Sequence, residues 1–150
     1  MDLRTVELLD DTQCSMWENM LVDLIYEFNA NTTGYFDGRL MGGRLCTEAG
    51  ELMGGFSGHT WGGISVITHL WVGQRFRGFG VGEALLTSAE QEAQRRHCVN
   101  AILMTHSFQA PGFYERLGYE RVCTVEAWPI GHSNMVYRKS LAGCLGRCGQ

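Results

Sequence analysis

Residues 71–96 read WVGQRFRGFGVGEALLTSAEQEAQRR. An apolar run gives way to a loop with glycines at alternate positions, Gly78, Gly80 and Gly82. It then resumes as a segment in which Val81, Leu85, Ala89 and Ala93 share one helical face. A strand that turns through glycines into a helix constrains this chain more than any other feature. It demands a sheet with a helix packed on it, and it leaves backbone amides bare at the helix start, where an anion can be held.

The rest of the chain supplies that sheet. Period-two and apolar runs place strands at 3–9, in RLMGGRLCT and ELMGGFSGH joined at EAG, and along WGGISVITHLWV (61–72), with its glycines permitting a bend or bulge. Further strands are expected in NAILMTH (100–106), RVCTVEA and NMVYRKS, the last two around a WPIGH loop. Thr12, Met16, Trp17, Met20, Leu21, Leu24, Ile25 and Phe28 recur with a helical period, and Asp10 and Asp11 suit that helix's N-terminal dipole. Residues 29–38 read as a loop. A helix follows the glycine loop to about His97, and APGFYERLGYE is a short helix with Pro111 in its first turn and Gly118 past its end. The order is β-α-β-β-β-α-β-α-β-β, an α+β fold with a mixed sheet and helices on its faces.

At 150 residues with 45% hydrophobic content and 2 prolines, the chain is expected to form one packed domain, 1–150, with 141–150 a loose tail. No apolar run reaches the ~20 residues of a membrane span, and the acidic start is unlike a signal peptide. A cytoplasmic protein is therefore expected. The cysteines (Cys14, Cys46, Cys98, Cys123, Cys144, Cys148) lack paired metal spacing, so neither metal nor disulfide is expected. The net charge of −4 argues against nucleic-acid binding, which needs a broad basic surface. The charge is unevenly spread: residues 1–51 hold 10 Asp/Glu against 3 Arg, and residues 52–150 hold 6 Asp/Glu against 9 Lys/Arg.

Two phosphate-loop types fail on spacing. A Walker A loop needs Lys-Ser/Thr after its second glycine, and Phe79 and Gly80 stand there; Lys139 is the single lysine of the chain. The dinucleotide pattern Gly-x-Gly-x-x-Gly meets Glu83 or Leu85 where its third glycine belongs. Glycines kept for tight strand-to-helix packing are the plainer alternative.

What remains is Arg75-x-x-Gly78-x-Gly80 followed by VGEALL, and it resembles the acetyl-CoA motif of the GNAT acyltransferase superfamily. A second stretch, SFQAPGFYERLGYERV, resembles the other GNAT signature, with Ala110, Tyr114 and Gly118 at intervals of four. Many members carry Asn where this chain has Ser107. The two stretches stand in the family's order with a strand between them. The closer flavour, LWV, FQAPGFY and PIGH, is similar to small bacterial members.

The resemblance implies the GNAT fold, whose central strand splays from its neighbour to leave a V-shaped gap, and acetyl-CoA as co-substrate. Leu70, Trp71 and Val72 would run beside the pantetheine arm. Arg75, Phe76, Arg77, Gly78, Phe79, Gly80, Val81 and Gly82 would hold the pyrophosphate, and Ser107 and Tyr114 would complete the cofactor site. Tyr114 matches the family's tyrosine near the sulfur and is expected to protonate the departing thiolate; an amide near Val72 suits the oxyanion. For the base, His69 is chosen over His106 and His132, with Glu51 and Glu126 behind them.

The implied activity is transfer of acetyl to a primary amine, in a ternary complex. A peptide acceptor or a non-catalytic CoA-binding module are the alternatives. In the family's architecture the first helix and early loops form much of the acceptor side. The acidic balance of residues 1–51 then points to a small cationic amine as partner. Neither nucleic acid nor membrane is expected as partner, and a homodimer is left open.

Overall fold

A computed structural model describes residues 6–142, which divide into two compact units, one ending at Phe36 and the other beginning at Asp37. The first unit is a single helix, α1 (Asp11–Thr33). Asp10 caps it: its carboxylate accepts from Gln13 N at 2.8 Å, and the Gln13 side chain answers by accepting from Asp10 N at 3.0 Å. The strand expected at 3–9 is not seen in residues 6–9, and residues 1–5 lie outside the described residues. The helix also runs five residues into the expected loop. Thr32 and Thr33 donate their hydroxyls to the carbonyls of Phe28 and Asn29, so they continue the helix, and Gly34 (φ +78°) ends it.

The second unit holds a six-stranded sheet, β1 (Arg39–Cys46), β2 (Leu52–Trp61), β3 (Ile64–Val72), β4 (Asn100–His106), β5 (Glu120–Glu126) and β6 (Ser133–Ser140), in the order β1-β2-β3-β4-β6-β5. All neighbours are antiparallel except β3 and β4. That parallel step requires a crossover, which α2 (Val81–Arg95) provides. Gly62 and Gly63, both with positive φ, form the hairpin between β2 and β3. The single strand expected over 61–72 is therefore divided, with Trp61 closing β2.

The core lies between the sheet and α2. Leu86, Ala89 and Ala93 pack with Ile67, Ala101, Leu103, Met135 and Tyr137. Arg96 fastens the far end of α2 by donating to the Leu40 carbonyl at 3.0 Å and to Glu92 at 2.7 Å. Leu141, expected in a loose tail, is buried; its N–H donates to the Val99 carbonyl, and its own carbonyl accepts from Gln94. Residues 143–150, with Cys144 and Cys148, lie outside the described residues.

One irregularity shapes everything that follows. Across β2 and β3, Ser57 faces His69 and Gly58 faces Ile67, so Thr68 is an extra residue and β3 is bulged there. At the same point pairing with β4 stops. Ile67 opposite Leu103 is the last pair, whereas β3 stays on β2 to Val72 and β4 stays on β6 to His106. The ends of β3 and β4 therefore part, and the β4-facing backbone of residues 68–72 has no strand beside it.

Candidate active site

Leu70, Trp71 and Val72 form the unpaired lip of this gap. Val72 faces α2, since its side chain lies within 3.6 Å of where a Cβ on Gly82 would stand. Alternation then sends Trp71 and His69 to the opposite face, where Trp71 is 52% exposed. The strand ends where Gly73 N donates to the Met53 carbonyl, and a 3₁₀ turn (Gln74–Phe76) leads into the glycine loop.

The three glycines serve different ends. Gly78 (φ +82°) and Gly80 (φ +80°) have left-handed backbones, and a Cβ on either would meet nothing within 4 Å. They turn the chain and leave open space above the helix start. Gly82 is the packing glycine, because a Cβ there would come within 3.2 Å of the Phe113 ring. Gly80 caps α2 with no side-chain hydrogen bond, and Ala84 N is the first amide to bond back, to Gly80 O. The preceding amides are thus available at the positive end of the helix. Arg77 stays beside them by donating to the Val72 carbonyl at 3.2 Å. Arg75 stacks on Phe76 at 4.9 Å and pairs with Glu51. Glu51 is thereby engaged as the counter-ion of the loop, and Phe79 stands 79% exposed. Uncapped amides, two guanidiniums and no obstructing Cβ are what a diphosphate requires.

Phe113 belongs to α3 (Pro111–Arg116), so its contact at Gly82 sets that helix beside the loop. The next residue is Tyr114, whose ring lies 5.1 Å from Phe113, 6.0 Å from Tyr119 and 6.2 Å from Tyr137. Burial pushes the Tyr114 phenol above its ordinary pKa, so it holds its proton at neutral pH. Glu115 anchors the helix by accepting from Tyr137 at 2.7 Å and Arg121 at 2.8 Å.

The histidines fall on the two sides of the gap. His69 Nδ1 lies 3.0 Å from the Ser57 hydroxyl, in a groove of about 440 Å³ that Arg44, Phe56 and Trp71 also line. His106 ends β4 and stacks on Phe108 at 5.1 Å, while His132 meets Phe108 edge-on at 4.9 Å. Ser107 ties the two segments together: its N–H donates to the Ser133 carbonyl and its hydroxyl accepts from Ser133 N. Glu126 closes β5 opposite Ser133 and is exposed. Ser57, Phe108 and Trp128 escape a sequence reading. The one signal for Ser57 was the β2–β3 hairpin register, which a bulge shifts. Among the described residues, no group of three His, Cys, Asp or Glu gathers as for a metal, and no helix is long and apolar enough to cross a membrane.

Comparison with known proteins agrees with this geometry. Residues 4–119 match the model of the Acetyltransferase (GNAT) family. The blasticidin-S acetyltransferase of Streptomyces morookaense is 37% identical over 97 residues, covering 64% of this chain and 71% of that protein. An acetyltransferase of Agrobacterium fabrum is 29% identical over 126 residues, covering 84% and 92%. The crystal structure of an acetyltransferase from Bacillus cereus superposes with a TM-score of 0.75 at 28% identity, covering 91% of this chain and 97% of that one.

Proposed function

This chain belongs to the acetyltransferase (GNAT) family, and from that premise we propose that residues 1–150 form one acetyl-CoA-dependent N-acetyltransferase domain acting on a small cationic amine. The observation that carries this reading is the coincidence of the bulge at Thr68 with the last β3–β4 pair. It opens a slot beside Leu70, Trp71 and Val72 that leads to the uncapped start of α2.

In this reading the amides of residues 81–83, with Arg75 and Arg77, hold the pyrophosphate. The lip of β3 pairs with the pantetheine arm much as a strand would, Ser107 borders it just past the end of β4, and an amide near Val72 receives the oxyanion. Tyr114, kept protonated by burial, gives its proton to the departing thiolate. A histidine beside the gap takes the proton of the amine, and His69 and His106 both flank it.

Support for a cationic acceptor comes from the acidic first third of the chain and from a relative named for blasticidin S. Free-thiol release from acetyl-CoA, measured across blasticidin S, spermidine, aminoglycosides, benzylamine and lysine peptides, tests the proposal. Turnover of the cationic small amines, weakening as salt rises, is the expected outcome. Silence with every amine, or preference for the peptides, refutes it.

A further inference from the structure

His69 and His106 both border the gap, and their hydrogen bonds distinguish them. His69 faces a hydroxyl, which donates or accepts, so neither of its ring nitrogens is assigned. His106 Nδ1 lies 3.1 Å from the Trp128 carbonyl. A carbonyl only accepts, so Nδ1 carries the hydrogen and the neutral ring keeps its lone pair on Nε2.

The position fits a proton acceptor. Carrying the parallel register of Ile67 and Leu103 forward, with Thr68 counted as the extra residue of the bulge, sets His106 level with Trp71 across the open gap. His106 also lies on the sheet face opposite Leu103 and Tyr137, the face that His69 and Trp71 share. The ring is held from several sides. Phe108 stacks on it with planes 4° apart, and Trp128 meets it edge-on at 6.2 Å. The Trp128 loop is fixed in turn by Trp128 N donating to His132 O and His132 N donating to Pro129 O.

Directly opposite His106 on β6 stands Asn134, 6% exposed, whose Oδ1 has no hydrogen-bond partner among the described residues. A buried acceptor left without a donor is costly, and an N–H from a ligand relieves it.

We propose that this corner receives the acceptor amine, with Asn134 Oδ1 accepting one N–H and His106 Nε2 taking the proton lost in the reaction. The assignment rests on the acetyltransfer reading and adds the residues that handle the amine. The nitrogen lone pair forms the C–N bond, the C–S bond breaks, one amine proton passes to His106 and the Tyr114 proton passes to sulfur. Exchange with water then resets imidazolium and phenolate. The other ionisable groups nearby are His132 across Phe108, Glu126 at the head of the loop, and Arg138 on the same face of β6.

Two measurements decide it. In ¹⁵N-labelled protein, two-bond proton–nitrogen spectra of the neutral histidines should show His106 protonated at Nδ1 and bare at Nε2; the opposite tautomer overturns the assignment. His106→Asn preserves an N–H for the Trp128 carbonyl and has no basic nitrogen. With the panel amine that wild type acetylates fastest, kcat should fall about 100-fold, with the acetyl-CoA-induced rise in Tm unchanged. The residual rate should climb with pH as free amine accumulates. Asn134→Leu should raise KM for that amine while kcat holds. A His106→Asn enzyme within twofold of wild type, or the same loss appearing in His69→Asn instead, sinks the idea. Should wild type acetylate no amine at all, the acetyltransfer reading fails, and the tautomer spectrum still decides the state of His106.

Discussion

The buried hydroxyl of Tyr137 donates to the Glu115 carboxylate at 2.7 Å, and the same carboxylate oxygen accepts from Arg121 at 2.8 Å. This joins the last strand of the sheet to the short helix that carries Tyr114. A helix of six residues has too few internal hydrogen bonds to hold itself, so tertiary anchors fix its place.

Loss of that anchor should be visible in acid. The Arg121 guanidinium, and then the Tyr137 hydroxyl, hold the Glu115 carboxyl below the ordinary range. A depressed carboxylate stabilises the fold above its unfolded pKa of about 4.3 and ceases to do so as pH falls through the folded value. Wild-type stability should therefore drop below that point, and Glu115→Gln should remove part of the drop. Tyr137→Phe should cost about 1–1.5 kcal/mol at neutral pH. Urea melts from pH 3 to 7 check both, and identical acid limbs for Glu115→Gln and wild type would discard the anchor.

Gly80 offers a test of the anion site. Its side chain would project into open space, so Gly80→Asp brings a carboxylate to the helix start with strain confined to one residue at φ +80°. Wild type should melt at a higher temperature with acetyl-CoA present, because the ligand binds the native state. The folded variant should show no such rise. A full rise in Gly80→Asp would move the diphosphate elsewhere.

Tyr114→Phe keeps the ring among Phe113, Tyr119 and Tyr137 and removes the proton. Acetyl-CoA affinity should persist while kcat falls roughly 10- to 100-fold. Unchanged turnover from pH 6 to 9 would exclude the tyrosine from proton transfer.

Most of this architecture was legible in the sequence because local chemistry and tertiary packing agree. Leu85, Ala89 and Ala93 announce the buried face of α2, and Gly78 and Gly80 are glycine because their backbone demands it. The misses have physical causes. Thr32 and Thr33 look like loop residues until their hydroxyls bond back within the helix. Gly62 and Gly63 fit a bend inside a strand as well as a hairpin, and only pairing decides. The Ser57–His69 pair and the assembly of His106, Phe108, Trp128 and His132 depend on register and on a loop folding back, neither of which any short motif encodes.

The bulge itself should prove indispensable, and Gly58 is where to test it. A Cβ on Gly58 would stand 2.1 Å from the Val66 carbonyl oxygen and 3.1 Å from Ile67 Cα, both backbone atoms of the partner strand. No rotamer relieves that clash, so Gly58→Ala must push β2 away from β3 at the irregular pair that leaves Thr68 unmatched. Stability should fall by about 3 kcal/mol, the upper part of the usual overpacking range. The same push, acting on Val66 and Ile67 just before the bulge, would also drive residues 68–72 toward β4 and narrow the gap. The variant, held folded well below its Tm, should then bind acetyl-CoA more weakly by calorimetry although no residue of the glycine loop has changed. Gly55→Ala supplies the comparison, since its Cβ would stand 3.0 Å from the Gly43 carbonyl, on the β1 side and away from β3. It should destabilise the sheet and leave affinity intact. Equal loss of affinity in both variants would mean that general loosening of the sheet, and not the bulge, governs the gap.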